Sequence, residues 1–295
     1  MRLLETNVKV TIGLCVKNSG RTIKNAVNSI INQDFPKEDV RLVVVDGCST
    51  DGTISIMKEV ASKAQINVDF YTDEGKGLGA ARQLAVNNAE GKYLIFVDGD
   101  VELFKDFVRE QVKFMEQNPE VGISVGKYEF KEGPLISSVW NLFLCMGDNT
   151  VGGGSTIFRL KALRQAGGFD KKIKGAGEDL DLIERMQKNG WLLCSNKKAR
   201  FLHNFRENLV DFWAEQTWFG YGEHLFSHKK SASYSLLNSL PIISFYLGLK
   251  IGSKAYRSTL RKISFLMPFQ LFYAKTAWWL GFAKSHLDGY GHEFS

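Results

Sequence analysis

The chain has 295 residues, 44% hydrophobic and 24% charged, with a formal net charge of +6. That length can bury a large core, and it suits one big domain or a domain with an appendage; five prolines and no low-complexity run argue against long disorder. The four cysteines, at 15, 48, 145 and 194, form no C-x-x-C pair, so neither a disulfide framework nor a zinc site is indicated and a reducing compartment fits best.

Strands and helices alternate through the first third. Val8 to Val16 reads as a strand, and Asn18 and Ser19 are N-cap candidates for a helix within Arg21–Gln33. Leu42 to Val45 is a buried strand ending at Asp46. The turn GCSTDGT follows, with Ser49, Thr50 or Asp51 able to cap a helix over Thr53–Ala64. Val68 to Tyr71 is a third strand, and the glycine-spaced loop Asp73–Gly79 leads to a helix over Ala80–Ala89. This alternation predicts a parallel sheet with right-handed crossovers.

The next stretch, KYLIFVDGDV, organises the chain. Tyr93 to Val97 reads as a strand buried on both faces, and it ends in Asp98, Gly99 and Asp100. Ligands of open α/β sheets bind beyond the carboxyl ends of strands. Two acids there suit a divalent cation that also holds a diphosphate. The other reading is a polar turn after a core strand.

The pattern then loosens. Phe107–Gln117 is helical, Gly122–Phe130 reads as an outer strand, and Pro134–Met146 is ambiguous between strand and helix. A glycine run at 152–154 precedes a strand at Thr156–Phe158 and a short helix near Lys161–Gln165. Gly177, Glu178 and Asp179 start a helix to Asn189, with Leu180, Ile183 and Met186 at core spacing. A strand containing Phe201–His203 and a helix over Leu209–Phe226 follow.

The segments VTIGLCVKNSG, VVVDGCSTDGT, GLGAARQLAVNNAEGKYLIFVDGDV, GGFD and GEDLDLIERMQKNGW, in that order, resemble the inverting glycosyltransferases of family 2. The resemblance covers roughly Val8 to Phe226. It implies a GT-A fold, Rossmann-like, with a mostly parallel central sheet flanked by helices. It also implies a donor that is a nucleotide-diphospho sugar, UDP- or GDP-linked, with Mn²⁺ or Mg²⁺ as cofactor.

By that resemblance the nucleotide is met by Val16, Asn18, Asp46, Lys76, Arg82, Asp98 and Gly99. Asp46 looks like the carboxylate that recognises the base, and its other reading is an Asx-turn. Gly47 stands where the family often has a second acid, which leaves uracil and guanine both open. Arg82, on a helix, could instead make a structural ion pair. Asp100 resembles the metal ligand, and His203 a second metal or phosphate contact. Asp179 matches the general base, and Glu178 and Gly153 are placed at the acceptor. The alternative for Glu178 and Asp179 is helix capping alone, for Asp181 a salt-bridged helix position, and for the glycines at 152–154 a plain turn.

The tail is basic, aromatic and apolar. Lys229 to Ser295 holds nine Lys and Arg against Asp288 and Glu293. That mixture predicts a membrane surface as partner and no nucleic acid. Ser231–Leu249 and Ile263–Ala283 approach the roughly 20 residues of a membrane span. The basic linker Lys250–Lys262 would then face outward, against the positive-inside rule. Helices lying in the interface, with Trp278 and Trp279 at headgroup level, are the expectation; a spanning hairpin and a soluble core or dimer surface are the alternatives.

Two domains follow: 1–228 catalytic, with a nucleotide half at 1–105 and an acceptor half at 106–228, and 229–295 as a helical membrane-associating tail. No apolar signal segment is visible in MRLLETNVKV, so the expected location is cytoplasmic, peripheral at the inner face of the cell membrane. The expected reaction is metal-dependent inverting transfer to a hydroxyl of a glycan or lipid-linked acceptor. The alternatives are transfer to a polyprenyl phosphate, or a silent nucleotide-sugar-binding protein.

Overall fold

A computed structural model describes residues 8–147, 154–228 and 239–290. In chain order the elements are β1 (Val10–Val16), α1 (Ile23–Ile31), β2 (Val40–Asp46), α2 (Thr53–Ala61), β3 (Asn67–Thr72), α3 (Leu78–Asn87) and β4 (Tyr93–Val97). Then come β5 (Val101–Leu103), α4 (Phe107–Gln117), β6 (Val121–Tyr128), α5 (Leu135–Cys145), β7 (Ser155–Arg159), α6 (Leu160–Gln165), α7 (Glu178–Lys188) and β8 (Leu192–His203). The chain continues with α8 (Leu209–Glu223), α9 (Pro241–Thr259) and α10 (Met267–Leu287).

These elements form two compact units. The α/β unit comprises residues 8–129, 154–174 and 178–204. Its eight-stranded sheet has the order β3-β2-β1-β4-β7-β6-β8-β5. β3, β2, β1 and β4 are all parallel, as the alternation predicts. β4 is buried along its whole length, so its apolar run packs on both faces. α1 meets the sheet through Ile23, Ala26, Val27 and Ile30, the i, i+3, i+4, i+7 stripe of an amphipathic helix. Gly52, not Ser49, Thr50 or Asp51, is the N-cap of α2; Asp51, one residue earlier, accepts the Thr53 N–H at 3.2 Å.

The second half of the sheet is mixed. β7 runs antiparallel to β4 and β6, whereas β6 and β8 are parallel. The stretch expected as an outer strand is β6, and it lies inside the sheet between β7 and β8. Val121, Ile123 and Val125 are all buried there, and so is Ser124, which hydrogen-bonds Gln111. Polar satisfaction, not exposure, produced the alternating pattern.

The helical unit comprises residues 130–147, 175–177, 205–228 and 239–290. α8 and α10 meet at two glycines. A Cβ at Gly220 would lie 1.8 Å from the Trp278 carbonyl oxygen, and one at Gly281 would lie 1.9 Å from that of Thr217. α9 packs through the small residues Ser244, Gly248, Gly252 and Ala255. It runs from the first uncharged stretch into the basic linker, so Lys250, Lys254 and Arg257 are helical. Among the described residues, no helix is long and apolar enough to cross a membrane.

The expectation for Trp278 is corrected. It is 1% exposed, stacks on Phe282 and donates its indole N–H to Glu223 at 3.0 Å. A partner for the N–H inside the helix packing makes burial the better place for the ring. Trp279 donates to the Ser239 carbonyl at 2.8 Å.

Candidate active site

The loops after the parallel strands build one platform at their carboxyl ends. The loops after β1 and β2 are laced together. Asn18 donates its N–H to Ser49 Oγ at 2.9 Å and accepts the Thr50 N–H at 2.9 Å. Ser19 donates to Thr53 Oγ1 at 2.8 Å, and Gly20 to Asp51 Oδ2 at 2.9 Å. Asn18 holds this position with φ of +51°, a left-handed conformation that Asn tolerates. The Val16 carbonyl accepts the Gly47 N–H at 2.8 Å.

Asp46 ends β2. Both of its oxygens accept the Ser49 N–H, at 3.3 and 3.1 Å. This is the Asx-turn; a carboxylate has about four acceptor sites, so the turn leaves capacity for a ligand. Asp73 ends β3 and is buried, and it accepts the Gly75 and Gly77 N–H groups at 2.9 Å each. It orders the loop that carries Lys76. The Lys76 ammonium is exposed and sits 2.6 Å from Glu74.

Arg82 is the hub of the site. It lies on α3 with 6% exposure, its guanidinium near the rings of Phe96 and Phe169. Nη1 is 2.5 Å from Glu178 Oε1, and Nη2 is 3.3 Å from Asp98 Oδ1. The fork thus ties the end of β4 to the start of α7. Burial pushes Glu178 up to about 8 against the pull of Arg82. Burial also raises Asp98, again opposed by Arg82. Glu178 is 2% exposed, so it grips Arg82 and offers no open carboxylate.

Two glycines make room around the acids. A Cβ at Gly154 would lie 2.2 Å from the Asp98 backbone nitrogen, and one at Gly99 would lie 2.9 Å from Ser19 Oγ. The Gly99 carbonyl accepts the Thr22 hydroxyl at 2.7 Å.

Sheet register brings Asp100 to His203. β5 and β8 pair antiparallel with Val101 opposite His203. Asp100 Oδ1 is 3.0 Å from His203 Nε2, and the imidazole stacks on Tyr128. Asp179, on the first turn of α7, accepts the Leu180 N–H at 2.8 Å. Asp98 feels the charges of Asp100, His203 and Asp179, and Arg82 feels Asp179. Acids about 80 residues apart in sequence therefore share one electrostatic neighbourhood.

Asp100 and His203 offer one oxygen and one nitrogen donor, a set that suits Mn²⁺. Among the described residues, no group of three or more His, Cys, Asp and Glu side chains could hold an ion. An ion held here would take its other ligands from a bound molecule, as hard cations on phosphates do. Asp181 pairs with Arg185 at 2.7 Å and is structural. Gly153 lies outside the described residues.

Sequence reasoning named Asp73 only as the start of the glycine-spaced loop and missed its role in ordering that loop around Lys76. It offered a structural ion pair as the alternative for Arg82, which the Glu178 contact bears out, but did not name the partner. No local signal marks that pair, because its members lie on separate helices.

Residues 11–152 match the family described as Glycosyl transferase family 2. Among curated proteins, the poly(ribitol-phosphate) β-N-acetylglucosaminyltransferase TarS of Staphylococcus aureus is 32% identical over 111 residues. The match covers 38% of this chain and 19% of TarS. A poly(ribitol-phosphate) β-glucosyltransferase of Bacillus spizizenii is 32% identical over 121 residues, 41% of this chain and 19% of that protein. The chain thus spans about a fifth of the length of these relatives.

Among solved structures, the mannosyltransferase PcManGT of Pyrobaculum calidifontis, in complex with GDP-Man and Mn²⁺, superposes with a TM-score of 0.66 at 17% identity. The alignment covers 95% of this chain and 87% of that one. TarS residues 1–349 with UDP-GlcNAc give 0.55 at 19% identity, covering 97% and 92%. At such identities the likeness speaks for the fold. Fold, order of motifs and family match agree: residues 11–152 match glycosyl transferase family 2, and the chain has the GT-A fold.

Proposed function

We propose that the protein transfers a sugar from a nucleotide-diphospho sugar to a hydroxyl of a glycan or lipid-linked acceptor, with inversion at the anomeric carbon. The observation that carries this reading is geometric: Arg82 lies 3.3 Å from Asp98 and 2.5 Å from Glu178, the neighbour of Asp179 on α7, while Asp100, two residues after Asp98, lies 3.0 Å from His203. Two curated relatives bear names for transfer to poly(ribitol-phosphate), a polymer with free hydroxyls, which supports a cell-surface polymer as the acceptor class.

In this reading Val16, Asn18, Asp46 and Gly99 form the nucleotide platform, with Asp98 at the ribose. Lys76 closes over the phosphates from its glycine loop. Asp100 and His203 would hold Mn²⁺ or Mg²⁺, whose positive charge would offset the charge of the leaving diphosphate. Asp179 takes the proton of the acceptor hydroxyl as the new C–O bond forms, because a hydroxyl near the pKa of water is a poor nucleophile alone. Arg82 holds Asp98 and the start of α7 in fixed relation, and Glu178 serves the acceptor side through Arg82 and the placement of Asp179. The proposed location is the inner face of the cell membrane, reached through the C-terminal helices.

The test is Asp179→Asn with donor binding and transfer measured separately. Donor binding is expected to hold while transfer falls by about 10²–10⁴-fold. Equal loss of both would assign Asp179 to donor contact or folding. Retained transfer would favour an acceptor that is already ionised, such as a polyprenyl phosphate. A parallel assay in chelator is expected to abolish transfer, and full activity there would remove the metal from the mechanism.

A further inference from the structure

We infer that one face of α9 and α10 docks onto an anionic lipid bilayer. This deepens the membrane location proposed above and rests on it only for where the acceptor lies.

α9 has two opposite faces. Ser244, Gly248, Gly252 and Ala255 are buried, and a Cβ at Gly248 would lie 2.5 Å from the Pro268 Cα. Opposite them stand Ile242, Tyr246 and Leu249, at i, i+4 and i+7. They are 67%, 66% and 47% exposed. On α10, Phe269, Phe272 and Leu280 form a second exposed stripe, at 64%, 43% and 55%. The rings of Phe245 and Phe269 meet at 5.5 Å, and Phe245 touches Tyr246 at 6.1 Å, which joins the two stripes. Contiguous exposed apolar surface of this kind marks an interaction site.

Charge selects the occupant. Lys250, Lys254 and Arg257 are exposed on the following turns of α9. From His224 to Leu287 the chain has no Asp or Glu. Aromatic rings beside a basic flank suit the headgroup level of a bilayer and its diffuse negative charge. An acidic protein would need fixed ion-pair partners, and nothing on this face is arranged in such forks. Among the described residues no helix is both long and apolar enough to cross a membrane, and the proposal lays both helices along the surface.

The experiment is co-sedimentation of the full chain with vesicles of phosphatidylcholine, alone or doped with phosphatidylglycerol, at low and high salt. The unaltered chain is expected to sediment with the doped vesicles, and less so at high salt. The variant Lys250→Glu/Lys254→Glu/Arg257→Glu is expected to lose binding by at least on the order of 100-fold. The variant Tyr246→Ser/Phe269→Ser/Phe272→Ser is expected to lose binding on either lipid. Circular dichroism and nucleotide binding check that both variants fold. The proposal is overturned if the unaltered chain ignores doped vesicles, if it binds both compositions equally, or if this face instead mediates self-association. Donor turnover on a soluble acceptor is read separately, so loss of enzyme activity leaves the vesicle result standing.

Discussion

The α/β unit hides Arg82 and Glu178 from water, whereas the helical unit leaves Tyr246 and Phe269 about two-thirds exposed. Each departs from the usual sorting of residues, in opposite directions. Buried charge is retained only where partners and geometry compensate its desolvation, and exposed rings persist only where something other than water meets them. Both departures therefore locate function better than the ordinary core does.

Three substitutions test that contrast, and thermal or denaturant unfolding reads all of them. The largest effect belongs to Arg82→Ala. It strands Glu178 and Asp98 without their shared cation, and the expected loss is about 3–5 kcal/mol. A loss below about 1 kcal/mol would mean that the pair is dispensable and that the buried hub is not what orders α7. Next is Gly281→Ala. Alanine ordinarily strengthens a helix by about 1 kcal/mol. Here its methyl would press on the Thr217 carbonyl, so a net loss of about 1–3 kcal/mol is expected. A gain in stability would show that α8 and α10 can part without cost. The smallest effect belongs to Phe269→Ser on the exposed face, where a change within about 0.5 kcal/mol is expected. A large loss would make that ring part of the core and weaken the docking surface.

The parallel half was legible because β1, β2 and above all β4 are largely buried apolar runs between turn residues. β6 misled because Ser124 is polar yet buried on Gln111, and period-two alternation cannot separate an outer strand from a satisfied inner one. The acids at 46, 98, 100 and 179 were legible as types at strand and helix ends. Their convergence was not, since Asp100 reaches His203 only through the β5–β8 register. Lys76 and Arg82 show the same limit: two cations near glycines, one solvated beside Glu74, the other enclosed between acids. Trp278 failed for a related reason. Its apolar neighbours look alike whether they face lipid or a second helix, and the Glu223 partner is remote in sequence.

The lacing of the loops after β1 and β2 has a consequence for ligand entry. Four cross-links between residues 18–20 and 49–53 make them move as a single piece. A nucleotide bound as proposed would meet a floor whose ordering entropy was already spent during folding. Adjustment to different bases or sugars then falls to neighbouring segments, and the platform itself acts as a fixed ruler against which they close.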